Sequence, residues 1–345
     1  MALNGRKSIA IVGGGVVGLT CASCMPPEFV VTVIADKIGF ETDSRNATAI
    51  WHVYLVPETE RVLSWAQRTL EKLLDLNAHD PSAGIELVNG IELFRTGKSH
   101  VPKWAHIPPE FRLLAINELA EFNELDVRRL DANPALANNP VRWGYKLRAP
   151  ATDMSIYLPW LQRDVEAKGC QFVRQKLVSL NELAHNYDII INCSGFGARE
   201  LVSDAAFLPY KGQYFVLRSD TTAPSEYLGD DDHPGGMAYV IPRGREVLVG
   251  GCAEVGVEDL KLTLDWEDVK QRAGLYVPWL RTRTVSDQAR APVVCIRPAR
   301  KNGVRLEVDY DICDVPVVHN YGHGGSGFSL AWGCAGDVAD IVRSV

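Results

Sequence analysis

Gly13, Gly15 and Gly18 stand as G-x-G-x-x-G in the stretch IAIVGGGVVGLTCAS, with Val16 and Val17 between the last two. That spacing suits a diphosphate: the first glycine permits a tight turn, the second lets phosphate oxygens approach the backbone, and the third lets a helix pack on a strand. Free N–H groups and the positive end of the helix then hold the negative charge. Asp36 closes the next apolar run, eighteen residues past Gly18, where a carboxylate can accept bonds from ribose hydroxyls. A second cluster follows some three hundred residues later in HNYGHGGSGFSLAWGCA, where Gly322, Gly324, Gly325, Ser326 and Gly327 lead into an apolar helix beginning near Phe328. A third, Ser194, Gly195 and Gly197, ends the apolar run in INCSGFGARE.

The G-x-G-x-x-G spacing serves nicotinamide and flavin dinucleotides alike. An isoalloxazine ring lies well away from its pyrophosphate and needs a backbone cradle of its own, so the two later clusters favour FAD. No cysteine or histidine carries an attachment signal, and the FAD is expected to be non-covalent. A glycine-rich turn that serves only close packing is the plainer alternative for residues 322–327.

Stepping outward, KSIAIVGGG, FVVTVIAD and YDIIINCSG read as buried parallel strands near 8–12, 30–35 and 187–193. VVGLTCASCM follows the first as a helix, broken before Pro26–Pro27, and makes a β-α-β unit with the second strand. Residues 57–76 have the apolar spacing of a long amphipathic helix, 131–140 reads as loop, and 153–169 as helical in its second half. YKGQYFVLRS and AYVIPRGREVLVGGC read as antiparallel strands, the latter pair joined at PRGRE. The parallel strands are far apart in sequence and separated by chain of antiparallel character, so one domain is interrupted by another. The expected fold class is α/β: a Rossmann-like FAD-binding domain from 1–56, 145–200 and 292–345, with an inserted α+β substrate domain of mixed or antiparallel sheet from 57–144 and 201–291.

The stretch VVHNYGHGGSGFSLAWGCA resembles the signature of the D-amino-acid oxidase family, with an apolar pair, His-Asn-Tyr-Gly, small residues and Gly-x-Ala on a helix. NATAIWHVYLVP, INCSGFGAR, YVIPRG and IRPARKNGVRLE are similar to further family segments in the same order, and together they span nearly the whole chain. The resemblance implies oxidative deamination of a D-amino acid, with hydride passing from Cα to flavin N5, oxygen as acceptor, and a 2-oxo acid, ammonia and hydrogen peroxide as products. It implies that Arg297 binds the substrate carboxylate, as a rigid two-pronged donor does better than lysine. It implies that the Tyr239 hydroxyl bonds the same carboxylate, and that Ala47 and Thr48 join the cofactor contacts. His52 matches a position facing substrate or flavin, where it can hydrogen-bond a polar side chain or merely fill space. Ser326 is a further substrate-side candidate.

In some members a second active-site tyrosine stands in a lid, four residues before the first; position 235 here is Gly, and Tyr227 is the substitute candidate. Asp230, Asp231 and Asp232 form an acidic run in the presumed lid, most simply a solvated loop. If it overhangs the pocket it disfavours acidic substrates. A glycine or sarcosine oxidase, a flavin dehydrogenase that bypasses oxygen, and a non-catalytic flavin protein are the alternatives, in that order.

Among 345 residues, 46% are hydrophobic and 23% charged, ordinary for a globular protein of about two domains. A formal charge of −7 argues against general nucleic-acid affinity. No apolar run approaches a membrane span, residues 1–7 are too short and polar for a secretion signal, and the eight scattered cysteines suit a reducing interior. Cys21 and Cys24 are spaced as CxxC, and His319 and His323 lie four apart, but neither pair has the companions a metal needs. The expected location is the cytoplasm, because the chain ends in VRSV and not in a peroxisomal tripeptide. The expected partners are a small D-amino acid and oxygen, with a homodimer possible, no membrane and no nucleic acid.

Overall fold

Ile9, Ala10 and Ile11 have no exposed surface, which demands cover on both faces of the strand they form. In the computed structural model, which describes residues 6–97, 100–127 and 134–345, that strand (Ser8–Gly14) lies inside a six-stranded sheet. The order across the sheet is Arg305–Asp309, Val317–Tyr321, Ile189–Asn192, Ser8–Gly14, Val30–Ile38, Gln171–Arg174. The pairings are parallel except that of Arg305–Asp309 with Val317–Tyr321, which is antiparallel. All three expected parallel strands are therefore present, side by side, with the first in the middle.

Helices Val16–Cys24 and Gly327–Ser344 pack on one another, and Glu60–His79 packs on the latter. The contact between those last two is close because position 333 lacks a side chain. A Cβ there would stand 2.2 Å from the Trp65 carbonyl oxygen, and the Gly333 N–H donates to Thr69 Oγ1 at 2.9 Å.

Two compact units divide the chain: residues 1–85, 152–209 and 297–345, and residues 86–151 and 210–296. Each unit is drawn from non-contiguous stretches of the chain. Helix Glu60–His79 falls in the first unit, although the expected break lay at 56/57. The helix expected in the second half of 153–169 runs the whole way from Met154 to Ala167. Asp153 starts it by accepting from Ser155 N, and Pro159, the sixth helical residue, removes one internal hydrogen bond. Of the expected loop 131–140, residues 131–133 lie outside the described residues, and Pro134–Asn138 forms a 3₁₀ turn.

The second unit is built on a nine-stranded sheet, in which Gly90–Leu93 pairs parallel with Tyr227–Asp230. Ala238–Arg243 pairs antiparallel with both Tyr227–Asp230 and Glu246–Gly250, the hairpin expected at PRGRE. Val240, Val247, Val249, Phe215 and Leu217 make one apolar face, covered by Trp266 and Val269 of helix Trp266–Ala273.

Candidate active site

At the first glycine cluster the backbone comes too close to itself for side chains. Gly13 has φ +114°, and a Cβ on it would lie 2.4 Å from the Cys193 carbonyl oxygen; one on Gly18 would lie 1.9 Å from that of Gly13. Strand, turn and helix are thus pressed together as the spacing predicts, with the end of the Ile189–Asn192 strand alongside. Gly15 differs, because a Cβ on it would first meet the flexible Ser44 hydroxyl, at 2.9 Å. Ser44 Oγ also accepts from Val16 N at 3.0 Å, at the start of the helix. Sequence reading missed Ser44, which lies in the short 3₁₀ turn Asp43–Asn46, with no pattern to mark it. Ala47 and Thr48 follow that turn and are half-buried, and Asp36 is exposed near the end of its strand. Gly195, at φ +57°, has open space where a Cβ would stand, and Ser194 is anchored through Oγ to Asn192 Oδ1 at 2.6 Å.

The C-terminal cluster is wedged between two protein segments. A Cβ on Gly322 would meet Arg300 Cδ at 2.4 Å, on Gly324 the Leu55 carbonyl oxygen at 2.3 Å, and on Gly325 Tyr54 Cδ1 at 2.6 Å. Gly324 N donates to Pro298 O at 3.1 Å, and Ala299 bridges to His323. The strand end that carries Arg297 is therefore stitched directly to this loop. Ser326 does not present its side chain to a ligand as expected: the buried hydroxyl accepts from Tyr54 N (2.7 Å) and donates to Tyr54 O (2.8 Å). The Phe328 ring likewise turns inward, edge-on to Tyr157 at 5.5 Å, leaving only its backbone for a cofactor. A Cβ on Gly327 would lie 3.9 Å from Val16 Cγ1. The two glycine loops, far apart in sequence, thus place two helix N-termini side by side, and their partial positive charges converge on one place.

Residues 49–55 form the third wall, bracketed by Ala49 (φ +53°) and Leu55 (φ +57°), both left-handed without being glycine. His52 N donates to Ser329 Oγ at 2.9 Å, and its ring stacks on that of Tyr54. Burial lowers the His52 pKa to about 4, so the imidazole is neutral at pH 7. Arg297 is half-buried. The rival Arg300 is committed elsewhere: it donates to Asp204 Oδ2 at 2.8 Å and to Gly303 O at 3.1 Å, and lies over the Tyr321 ring.

In the second unit, Tyr239 is buried opposite Gly229 on one neighbouring strand and Gly250 on the other. Its ring lies over Gly250 and Gly251, where a Cβ would approach within 2.5 and 2.2 Å. Tyr227 is not in a lid; it begins a strand, buried, with its ring over Gly90 and its hydroxyl over Gly229. Nor is the acidic run a solvated loop. Asp230 is wholly buried and ion-paired to Arg95 at 2.7 Å, whose Nη1 also meets Asp126 at 2.7 Å, with Tyr276 donating to Asp126. Asp232 accepts from Thr96 N and Oγ1. Gly235 is exposed in a turn, its carbonyl held by Arg272. Glu92, which carries no motif, is buried beside Gly229, and burial followed by Asp231 and Asp230 pushes its pKa well up.

His319 is buried between Asn192 and Asp309, and no cluster of three or more metal-binding side chains occurs among the described residues. No helix among them is long and apolar enough to cross a membrane.

The family described as FAD dependent oxidoreductase (DAO) matches residues 8–341. A D-amino-acid oxidase of Rubrobacter xylanophilus is 34% identical, over 96% of this chain and 94% of that protein. A human D-aspartate oxidase is 31% identical, over 97% and 94% respectively. Glycine oxidase from Bacillus cereus has the same fold at 14% identity, with a TM-score of 0.72 over 98% of this chain and 95% of that one.

Proposed function

The chain belongs to the D-amino-acid oxidase family of FAD-dependent oxidoreductases, and from that premise we propose that it oxidises a D-amino acid to a 2-oxo acid, ammonia and hydrogen peroxide. FAD is its cofactor, and the residues present fit one. Two adjacent helix N-termini suit a diphosphate and a ring that gains negative charge on reduction, and the close-packed glycines of both loops leave backbone as the contact surface. Gly13, Gly15, Val16, Val17 and Gly18 would hold the diphosphate, Asp36 the ribose, and Ala47, Thr48, Gly195, Gly197 and the 322–327 backbone the remainder. Bound FAD would supply the hydride acceptor and the route of electrons to oxygen.

The chain's own part is orientation. Arg297 offers its planar fork to the substrate carboxylate, and Tyr239 adds a hydroxyl donor. With the carboxylate fixed at one end, the Cα–H bond is held in a single direction. A neutral His52 beside this segment supplies no proton, and none is needed if the amine binds uncharged. The observation that carries the assignment is the stitching of the Arg297 strand end, through Pro298 and Ala299, to the loop whose helix starts against Val16.

The test is an absorption spectrum of the purified protein, followed by peroxide release with D-alanine, D-aspartate, D-arginine, glycine, sarcosine and the L forms. A flavin spectrum with turnover of D forms is expected. Turnover of L-amino acids alone, or of glycine and sarcosine alone, overturns the assignment.

A further inference from the structure

We propose that Glu92 forms a subsite for the cationic side chain of the substrate, so that the D-amino acids preferred are basic ones such as D-arginine and D-lysine. This rests on the reaction assigned above and names its substrate class.

The sheet of the second unit has two unlike faces. Leu93, Arg95, Asp230 and Val240 alternate onto one, which is filled by the Arg95 ion pairs and by helix Trp266–Ala273. Glu92, Gly229, Tyr239, Gly250 and Tyr214 lie in register across neighbouring strands and share the other face, together with Tyr227 and Gly90. On this second face glycine alternates with a functional side chain. The Glu92 carboxyl occupies the space above Gly229, where a Cβ would lie 2.3 Å from its Oε2; the Tyr227 hydroxyl is 2.5 Å from the same point.

Glu92 is 3% exposed, and its Oε2 has no hydrogen-bond partner among the described residues. Its neighbour Asp230, on the opposite face, is fully paired. A buried carboxyl oxygen without a partner is uncommon and calls for one from outside the fold. Burial, followed by Asp231 and Asp230, pushes the Glu92 pKa well up. A guanidinium or ammonium would reverse that, supply the absent donors and gain a hydroxyl from Tyr227.

The spacing agrees. The Tyr239 ring lies over Gly250 and the Glu92 carboxyl over Gly229, two strand separations apart, or about 10 Å. A substrate carboxylate at Tyr239 thus leaves room for a long side chain before the acid is reached.

The experiment compares kcat/KM for D-arginine with that for D-citrulline, its neutral isostere, and D-lysine with D-norleucine, in the holoenzyme and in Glu92→Gln. The expected ratio of cationic to neutral substrate is about tenfold or more in the natural protein, falling toward one in Glu92→Gln. If Glu92→Gln does not retain flavin, Gly229→Ala serves in its place, since the new methyl displaces the carboxyl and must lower the same ratio. A ratio near one in the natural protein overturns the subsite, and so does a high ratio that both variants preserve. Turnover of D-citrulline and D-norleucine without cationic preference leaves the assigned reaction standing and removes only the subsite. No turnover of any D-amino acid removes both.

Discussion

Two arginines three residues apart, Arg297 and Arg300, are alike in chemistry and opposite in expected effect. Arg300 and Asp204 are 11% and 6% exposed, and the pair is reinforced by Tyr321 donating to Asp204 at 2.7 Å. Arg300→Ala therefore strands a nearly buried carboxylate, with an expected loss of about 3 kcal/mol in urea unfolding and an unchanged KM. Arg297→Ala should instead raise KM roughly a hundredfold, with Arg297→Lys between the two. An Arg297→Ala enzyme of unaltered KM would show the carboxylate to be bound elsewhere. The choice of Arg297 came from a resemblance; the ion pair that occupies Arg300 adds a physical reason. The acidic run was misread for a reason at this same scale. Charge patterning is local, whereas the cation that buries Asp230 is Arg95, 135 residues earlier in the chain. Glu92 was invisible because its neighbour Gly229 becomes a neighbour only once the sheet forms.

At the scale of elements, the strongest signals were those written into contiguous sequence. Apolar runs ending in glycine gave the three parallel strands, and apolar spacing gave the helix that runs from Glu60 to His79. Which unit that helix joins was not legible, because it depends on what its apolar stripe meets. It meets the C-terminal helix at Gly333. Gly333→Ala drives a methyl into the Trp65 backbone, 2.2 to 2.6 Å away, which cannot yield as a side-chain tip would. The helices must part, with an expected cost of 3 kcal/mol or so. Three residues on, Gly336→Ala meets only the end of Arg68 at 3.1 Å. Helix propensity then dominates, and the variant should be neutral or more stable by about 0.5–1 kcal/mol. Denaturant midpoints of the two variants test this. Equal midpoints would mean that the two helices do not cross at Gly333.

At the scale of the molecule, both units bury neutral imidazoles, and this ties their stability to pH. Burial lowers His319 and His323 of the first unit to about 4, the former helped by Arg305, while burial followed by Arg95 and Arg272 lowers His233 of the second to about 3. All three are under 5% exposed; His52, partly exposed, is shifted the same way and counts for less. An unfolded histidine titrates near 6.5, so between about 6.5 and 4 the unfolded chain holds protons that the folded chain does not. Stability therefore rises with pH across that window, is fully present above it, and is lost as pH falls through it. Each group gives a slope of up to about 1.4 kcal/mol per pH unit, and three together up to about 4. The carboxylates act in two ways: burial raises Glu92 and Asp230, which opposes the histidine slope above about pH 4, whereas the exposed ones lie outside the window. Asp75, Asp220 and Asp287 are held below their ordinary range chiefly by hydrogen bonds from Lys72, Thr222 and Thr284, so their contribution disappears only below about pH 4. The denaturant midpoint should accordingly fall from pH 7 to 5, the three imidazoles outweighing the opposing Glu92 and Asp230. A midpoint that is flat over that interval would mean these imidazoles are charged or solvated in the native protein, and that the His319–Asp309 contact is an ion pair already formed at neutral pH.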